Sequence, residues 1–482
     1  MTGRPSLSPA AIFLAVALPA GLLFAVLTPP FQVPDESAHF FRAFQMAEGT
    51  FRAGSDGAVP GAELPVSLVR AADAFPPHFP ATTRGDLLAR VTRGLAEPLA
   101  PRERRFFPLV STIYSPVPYL PAAAVIAAGK AASWSPLGLL YAGRLATLLA
   151  ATILHALALK LAPTFRWPLA LLALTPMISF QRSGVTADSV TNALAFLFFA
   201  LVLRLAADGE SPPPRRLAAL VLATTAALAL CKGYAVLLPL LLVVPARPRA
   251  GRRLAWTALL LGAVLAAGWS LARRGVPVPP RLDVPVDSAG QLRTLLHEPG
   301  RFLAAAATEV ATHGARNVRE FLGQLGWLDV RIPATLLLVP AAALLLLVLA
   351  DASAPLRLAR WWRIGLLAVL GAGALSIALA MYVLHTPAGA RGIEGIQGRY
   401  FIPLAPPALF LLVSRRPRLA LSGRTAARIT LLAALAGLAG AAWALEERFV
   451  RPAGAPVPAA ARLLQSGGCL PSLPSPSSST SS

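Results

Sequence analysis

Pro29-Pro30-Phe31-Gln32-Val33-Pro34-Asp35-Glu36-Ser37-Ala38-His39-Phe40-Phe41-Arg42 closes an uncharged run that begins at Pro5. Two carboxylates then arrive side by side. A bilayer with a hydrocarbon thickness of about 30 Å is crossed by about 20 such residues, so Asp35 and Glu36 fall just past a membrane exit. Pro29, Pro30 and Pro34 donate no backbone hydrogen bond and fix φ, which stops the helix and turns the chain stiffly. A short helix starting near Ser37 would set Glu36, His39 and Arg42 on related faces. On spacing alone, the acids read equally well as caps of a surface helix or as a paired-carboxylate site tuned by a nearby His and Arg.

Composition supports the membrane reading. Of 482 residues, 56% are hydrophobic and 14% charged, and the mean hydropathy is +0.62. Soluble domains carry about 25% charged residues. The net charge of +22 is spread as short arginine clusters between apolar spans, which is a topology signal and not a nucleic-acid stripe. Lys130, Lys160 and Lys232 are the only lysines, and Cys231 and Cys469 are too few for a disulfide framework. The first span is long and lacks a clear small-x-small cleavage site, so a retained anchor is expected.

Candidate spans are 9–28, 138–160, 167–181, 186–205, 216–231, 233–246, 254–272, 332–350, 364–384, 400–414 and 426–445. The expected fold is an all-α integral membrane bundle of about 11 transmembrane helices. The segments 167–181, 233–246 and 400–414 are short, which suggests tilted or broken helices. Basic residues set the orientation. With Arg4 cytoplasmic, the inside connections carry Lys160/Arg166, Arg204/Arg215/Arg216, Arg247/Arg249/Arg252/Arg253, Arg357/Arg360/Arg363 and Arg415/Arg416/Arg418/Arg424/Arg428. Short outside turns carry only Arg182, Lys232, Arg391 and Arg399.

This topology puts two larger loops, 29–137 and 273–331, and the C-terminal tail outside the cytoplasm. The segment 117–130 is too short to cross and reads as a re-entrant or interfacial helix. The first loop, 29–137, is expected to fold as short amphipathic helices lying on the membrane. The membrane domain spans 1–445, followed by a tail, 446–482, that is low-complexity and disordered from about 466. No internal repeat is visible.

A set of motifs runs in order along the chain: Pro30-x-Gln32-x-Pro34-Asp35-Glu36-x-x-His39-Phe40, Tyr114-Ser115-Pro116 with Pro118-Tyr119, and Thr175-Pro176-Met177 with Gln181 and Asp188. Lys232-Gly233-Tyr234, Gly326-Trp327-Leu328-Asp329 and Gln397-Gly398-Arg399-Tyr400-Phe401 follow. Together they resemble the DUF2142 family of bacterial membrane proteins, over about residues 12–445. That family looks like a branch of the GT-C superfamily, alongside the protein O-mannosyltransferases and the lipid A aminoarabinose transferases. The resemblance implies a GT-C-like polytopic bundle in the bacterial inner (plasma) membrane, with an acidic motif in the first outside loop. It also implies a polyprenyl-phosphate sugar donor and an active site at the outer face.

Sugar transfer from a lipid phosphate needs a base for the acceptor hydroxyl and cations for the departing phosphate. Asp35 is the first choice for the base, with Glu36 orienting it or taking its place. The resemblance suggests Asp188 as a second carboxylate; a plain N-terminal helix charge is the alternative. Arg399, Lys232 and Arg182 are candidates for the donor phosphate, against ordinary snorkelling at span ends. Gln32, His39, Arg42, Tyr114, Gln397 and Tyr400 are supporting candidates. Trp327 is expected as an interfacial anchor, and Arg144, inside a span, should face the bundle or snorkel outward.

No metal site is expected. Two carboxylates and a distant Asp suit Mg²⁺ or Mn²⁺, but the protein O-mannosyltransferase relatives imply that no metal is required. The leading function is therefore a membrane glycosyltransferase acting on an envelope glycan, lipid or protein. A transporter or flippase of an envelope lipid precursor, or a non-catalytic assembly scaffold, are the competing readings. Transporters usually carry paired repeats, which this chain lacks.

Overall fold

The computed structural model describes residues 8–450 except 58, 208–212, 246–248, 277–285, 352–355, 414–418 and 420. The tail beyond Val450, with Cys469, lies outside the described residues, as do Arg4, Arg247, Arg415, Arg416 and Arg418 of the basic connections.

Helix α1 (Pro9–Leu27) starts on Ser8, whose hydroxyl accepts from the Ala11 amide, with Pro9 in the first turn. It stops at Thr28, where Pro29 and Pro30 end the hydrogen-bond ladder. The chain then hooks through two left-handed residues, Phe31 (φ 63°) and Asp35 (φ 60°), into α2 (Glu36–Ala47).

Beyond α2 the first loop differs from expectation. It contains a three-stranded antiparallel sheet, β1 (Gly54–Asp56), β2 (Val59–Pro65) and β3 (Arg104–Pro108), ordered β1-β2-β3 with Ala62 opposite Phe107. Short helices Val66–Asp73 and Arg84–Ala96 complete it. The loop encloses its own core, built from Phe31, Phe40, Phe44, Leu64, Leu68, Phe75 and Phe79. Burial of that many aromatic side chains makes it a packed cap rather than a set of helices spread on a surface. α3 (Leu120–Ala131) joins the same core through Ile126.

The bundle proper follows. α4 (Pro136–Leu161) packs along α1 and along α5 (Ala187–Ala207). α5 is the central post, with 89% of its apolar window buried. α6 (Arg215–Ala229) and α7 (Arg249–Ala272) pair beside it. α8 (Pro299–Gly323) belongs to the second of the two larger loops. α9 (Ala334–Leu349) packs on α11 (Gly423–Phe449), and α10 (Trp362–Leu384) packs on the short helices Tyr234–Leu237 and Leu240–Val243.

Among the described residues, six helices are long and apolar enough to cross a membrane: α1, α4, α5, α7, α10 and α11. The other expected spans are shorter or broken. Segment 167–181 divides into Arg166–Ala173 and Pro176–Arg182, 233–246 into Tyr234–Leu237 and Leu240–Val243, and 400–414 into Gly398–Leu404 and Ala405–Phe410. A proline stands at or beside each break (Pro176, Pro239, Pro403 and Pro406), where its missing N–H interrupts the ladder.

Candidate functional site

The α1–α2 hook, the first turn of α5 and the starts of two broken spans deliver the charged side chains. Asp35 sits at the start of α2 in its left-handed conformation, with its side chain 42% exposed. Arg399 emerges from the turn Gly398–Leu404, and its guanidinium is almost fully buried. Arg399 Nη2 donates to Asp35 Oδ2 at 3.0 Å, while Nη1 lies 3.6 Å from Asp188 Oδ2. Asp188, in the first turn of α5, accepts from Lys232 Nζ on its other oxygen at 2.5 Å. Four charges alternate in sign along a single line: Asp35, Arg399, Asp188, Lys232.

Each member is held in place. Gln397 Oε1 accepts from Arg399 Nε at 2.6 Å. Gln181 donates to Asp188 at 3.2 Å and is itself oriented by Asn192, which donates to Gln181 Oε1 at 2.9 Å. The Lys232 ammonium lies 5.0 Å from the ring centre of Tyr114 and 5.4 Å from that of Tyr400, within cation–π range. Lys232 itself has φ 39° and Gly233 φ 80°, a turn that a side-chain-bearing residue adopts only at a cost in strain. His39 is buried and pairs through Nδ1 with the Tyr119 hydroxyl at 2.7 Å. Burial first, and then the Lys232 charge, lowers its pKa to about 4, so its ring is neutral near pH 7.

The line borders a cavity of about 360 Å³, whose lining includes Lys232, Tyr114, Tyr400, Trp269, Arg273 and Met381. Its walls come from α7, α10 and the segments 113–115 and 229–235, and are mainly apolar. A mainly apolar cavity with cations in its lining suits an amphiphile with an anionic head.

Other sequence-selected residues stand elsewhere. Glu36, expected to orient or replace the base, is fully buried and faces away from Arg399 into a different pocket. Both its oxygens are taken by Arg144, at 2.8 and 2.6 Å, with the amides of Phe31 and Val185 donating as well. Arg144 in turn donates to the carbonyls of Ala25, Thr28 and Pro29. This bonding makes the pair the clamp of the hook. Arg182, expected at the phosphate, donates instead to the Ala173 carbonyl at 3.1 Å and the Ser179 hydroxyl, and covers Phe13. Its contacts tie the two halves of a broken span together.

Gln32 grips the first loop through Phe75, Pro76 and Phe79, and Arg42 holds Gln45 and the Phe51 carbonyl. Trp327 donates to the Phe31 carbonyl at 3.2 Å, joining the second large loop to the hook, and Asp329 pairs with Arg448. Asn192 is not among the residues the sequence motifs pick out, and Tyr119 enters there only as part of the Pro118-Tyr119 motif. Asn192 lies one helical turn after Asp188, a spacing that places both on one face of α5.

Among the described residues, no three His, Cys, Asp or Glu side chains cluster closely enough to hold a metal ion. Asp35 and Asp188 both face Arg399, so the cation between them is a guanidinium.

A family model described as "Predicted membrane protein (DUF2142)" matches residues 18–408. No curated protein matches the chain significantly. Among solved structures, the chain is similar to ArnT from Cupriavidus metallidurans bound to undecaprenyl phosphate. That similarity has 15% identity and a TM-score of 0.34, and it covers 90% of this chain and 76% of that one.

Proposed function

This chain belongs to the DUF2142 family of predicted membrane proteins, and from that premise we propose that it is a GT-C-type glycosyltransferase. It moves a sugar from a polyprenyl-phosphate donor to a glycan, lipid or protein of the cell envelope. The observation that carries this reading is the line Asp35–Arg399–Asp188–Lys232 beside an apolar cavity. The cavity matches an isoprenoid tail, the cations match a phosphate, and Asp35 is the partly exposed carboxylate of the line.

In this scheme Asp35 takes the proton of the acceptor hydroxyl as that oxygen attacks the anomeric carbon. The bond from that carbon to the phosphate oxygen breaks, and its electron pair leaves with the lipid phosphate. Lys232 and Arg399 meet the growing charge, Lys232 as a compact ammonium and Arg399 as a planar fork. Asp188 orients both cations. With two fixed cations at the leaving group, the chemistry needs no metal. The site faces outside the cytoplasm of a bacterial inner membrane.

The test is Asp35→Asn in a strain lacking the chromosomal copy, read by mass spectrometry of envelope glycans, lipids and proteins. Loss of a positioned base costs about 10²–10⁴-fold in rate. The expected result is a modification restored by wild type and absent with the folded, inserted variant. Near wild-type transfer by the variant refutes the base assignment. A purified protein that moves labelled lipid across liposomes without breaking the sugar–phosphate bond would be a flippase instead.

A further inference from the structure

The charge line is electrically closed. Asp35 and Asp188 carry two negative charges, Arg399 and Lys232 two positive ones, and His39 is neutral. A sugar phosphodiester bears one negative charge, and this line offers it no net attraction. Arg273 supplies what is missing. It follows the last residue of α7 and lines the same cavity as Lys232 and Tyr400. Among the described residues, no carboxylate lines that cavity and none forms an ion pair with Arg273. The cavity thus holds one cation already committed to an acid and one that is not.

Resting on the lipid-phosphate reading above, we infer that Arg273 is the specificity-determining cation that selects a phosphate-bearing lipid over its neutral alcohol. Charge bookkeeping over the transfer supports this. Before reaction, Arg273 balances the single negative charge of the donor. Afterwards the released lipid phosphate carries a second negative charge, and Asp35, now holding the acceptor's proton, has lost its own. Arg399 is thereby released from Asp35, and its charge balances the increment. The site stays neutral at both ends of the reaction, which a low-dielectric setting favours. An arginine that merely reached for headgroups at a helix end would show no such selectivity.

The experiment uses the full chain in phosphatidylcholine nanodiscs and measures binding of farnesyl phosphate and farnesol to wild type, Arg273→Gln and Arg273→Lys. Wild type is expected to prefer the phosphate. Arg273→Gln should weaken farnesyl phosphate by about ten-fold or more, as loss of a charge-assisted contact does, and leave farnesol unchanged. Arg273→Lys should recover most of the loss. Arg273→Gln binding the phosphate as wild type does would overturn the role of Arg273 while leaving the lipid-phosphate reading intact. Wild type showing no preference for the phosphate would overturn both.

Discussion

Asp35 and Glu36 share a peptide bond and little else. The left-handed turn at Asp35 throws the two carboxylates into different surroundings, one partly open beside Arg399 and one sealed against Arg144. Replacing Arg144 with Met would leave Glu36 ionised and buried without a counter-charge, a loss of about 3–5 kcal/mol. Thermal unfolding of the detergent-solubilised protein should show a much lower midpoint for Arg144→Met. The double variant Arg144→Met/Glu36→Gln should regain part of the difference. His39 gives a second measurable consequence. Its folded-state pKa of about 4 lies below the ordinary 6.5 of a histidine, so the fold favours the neutral ring. As pH falls from about 6.5 to 4 the unfolded chain takes up a proton that the folded one refuses, and stability drops by an amount of order 3 kcal/mol. Stability measured from pH 7 to pH 4 should fall less steeply for His39→Gln than for wild type.

Among the elements, the breaks matter more than the long helices. The turn Gly398–Leu404 is fixed from outside by α8: the buried Glu320 accepts from the Gly398 amide at 2.8 Å. Gly398 also lies against the α8 backbone, and a Cβ there would fall 1.8 Å from the Asn317 carbonyl oxygen and 2.6 Å from the Phe321 nitrogen. Backbone cannot yield as a side chain can. Gly398→Ala should therefore displace Arg399, abolishing transfer and lowering the thermal midpoint, whereas Glu320→Gln, which keeps the shape, should retain most activity in the same glycan readout.

The long spans were readable because each is a single uninterrupted apolar run, a local signal. The sheet of the first loop was not, since β2 carries Pro60 and Pro65, residues that argue against a strand. Nor was the partner of either acid readable. Arg399 is 364 residues from Asp35 and Arg144 is 108 from Glu36, and no periodicity connects positions so far apart. Interfacial cations and a phosphate clamp also look alike in a sequence, which is why Arg182 was grouped with Lys232 and Arg399.

For the whole molecule, the asymmetric arginines set an orientation that follows from our proposal and is open to direct measurement. With Cys231 and Cys469 replaced by Ala, a cysteine at Asp56 should react with an impermeant maleimide on intact spheroplasts. One at Arg215 should react only after permeabilisation. Labelling in the reverse pattern would turn the molecule over and place Asp35 at the cytoplasmic face.

The two helices that wall the cavity are the least embedded of the six long ones, with only 17% of each apolar window buried in protein. The rest of their surface is left for lipid. On the proposed reading, a donor with a greasy tail would reach the cavity sideways, between α7 and α10, without ever leaving oil. Capture would then be a search in two dimensions, and occupancy would follow the mole fraction of the proposed donor in the leaflet rather than any concentration in water.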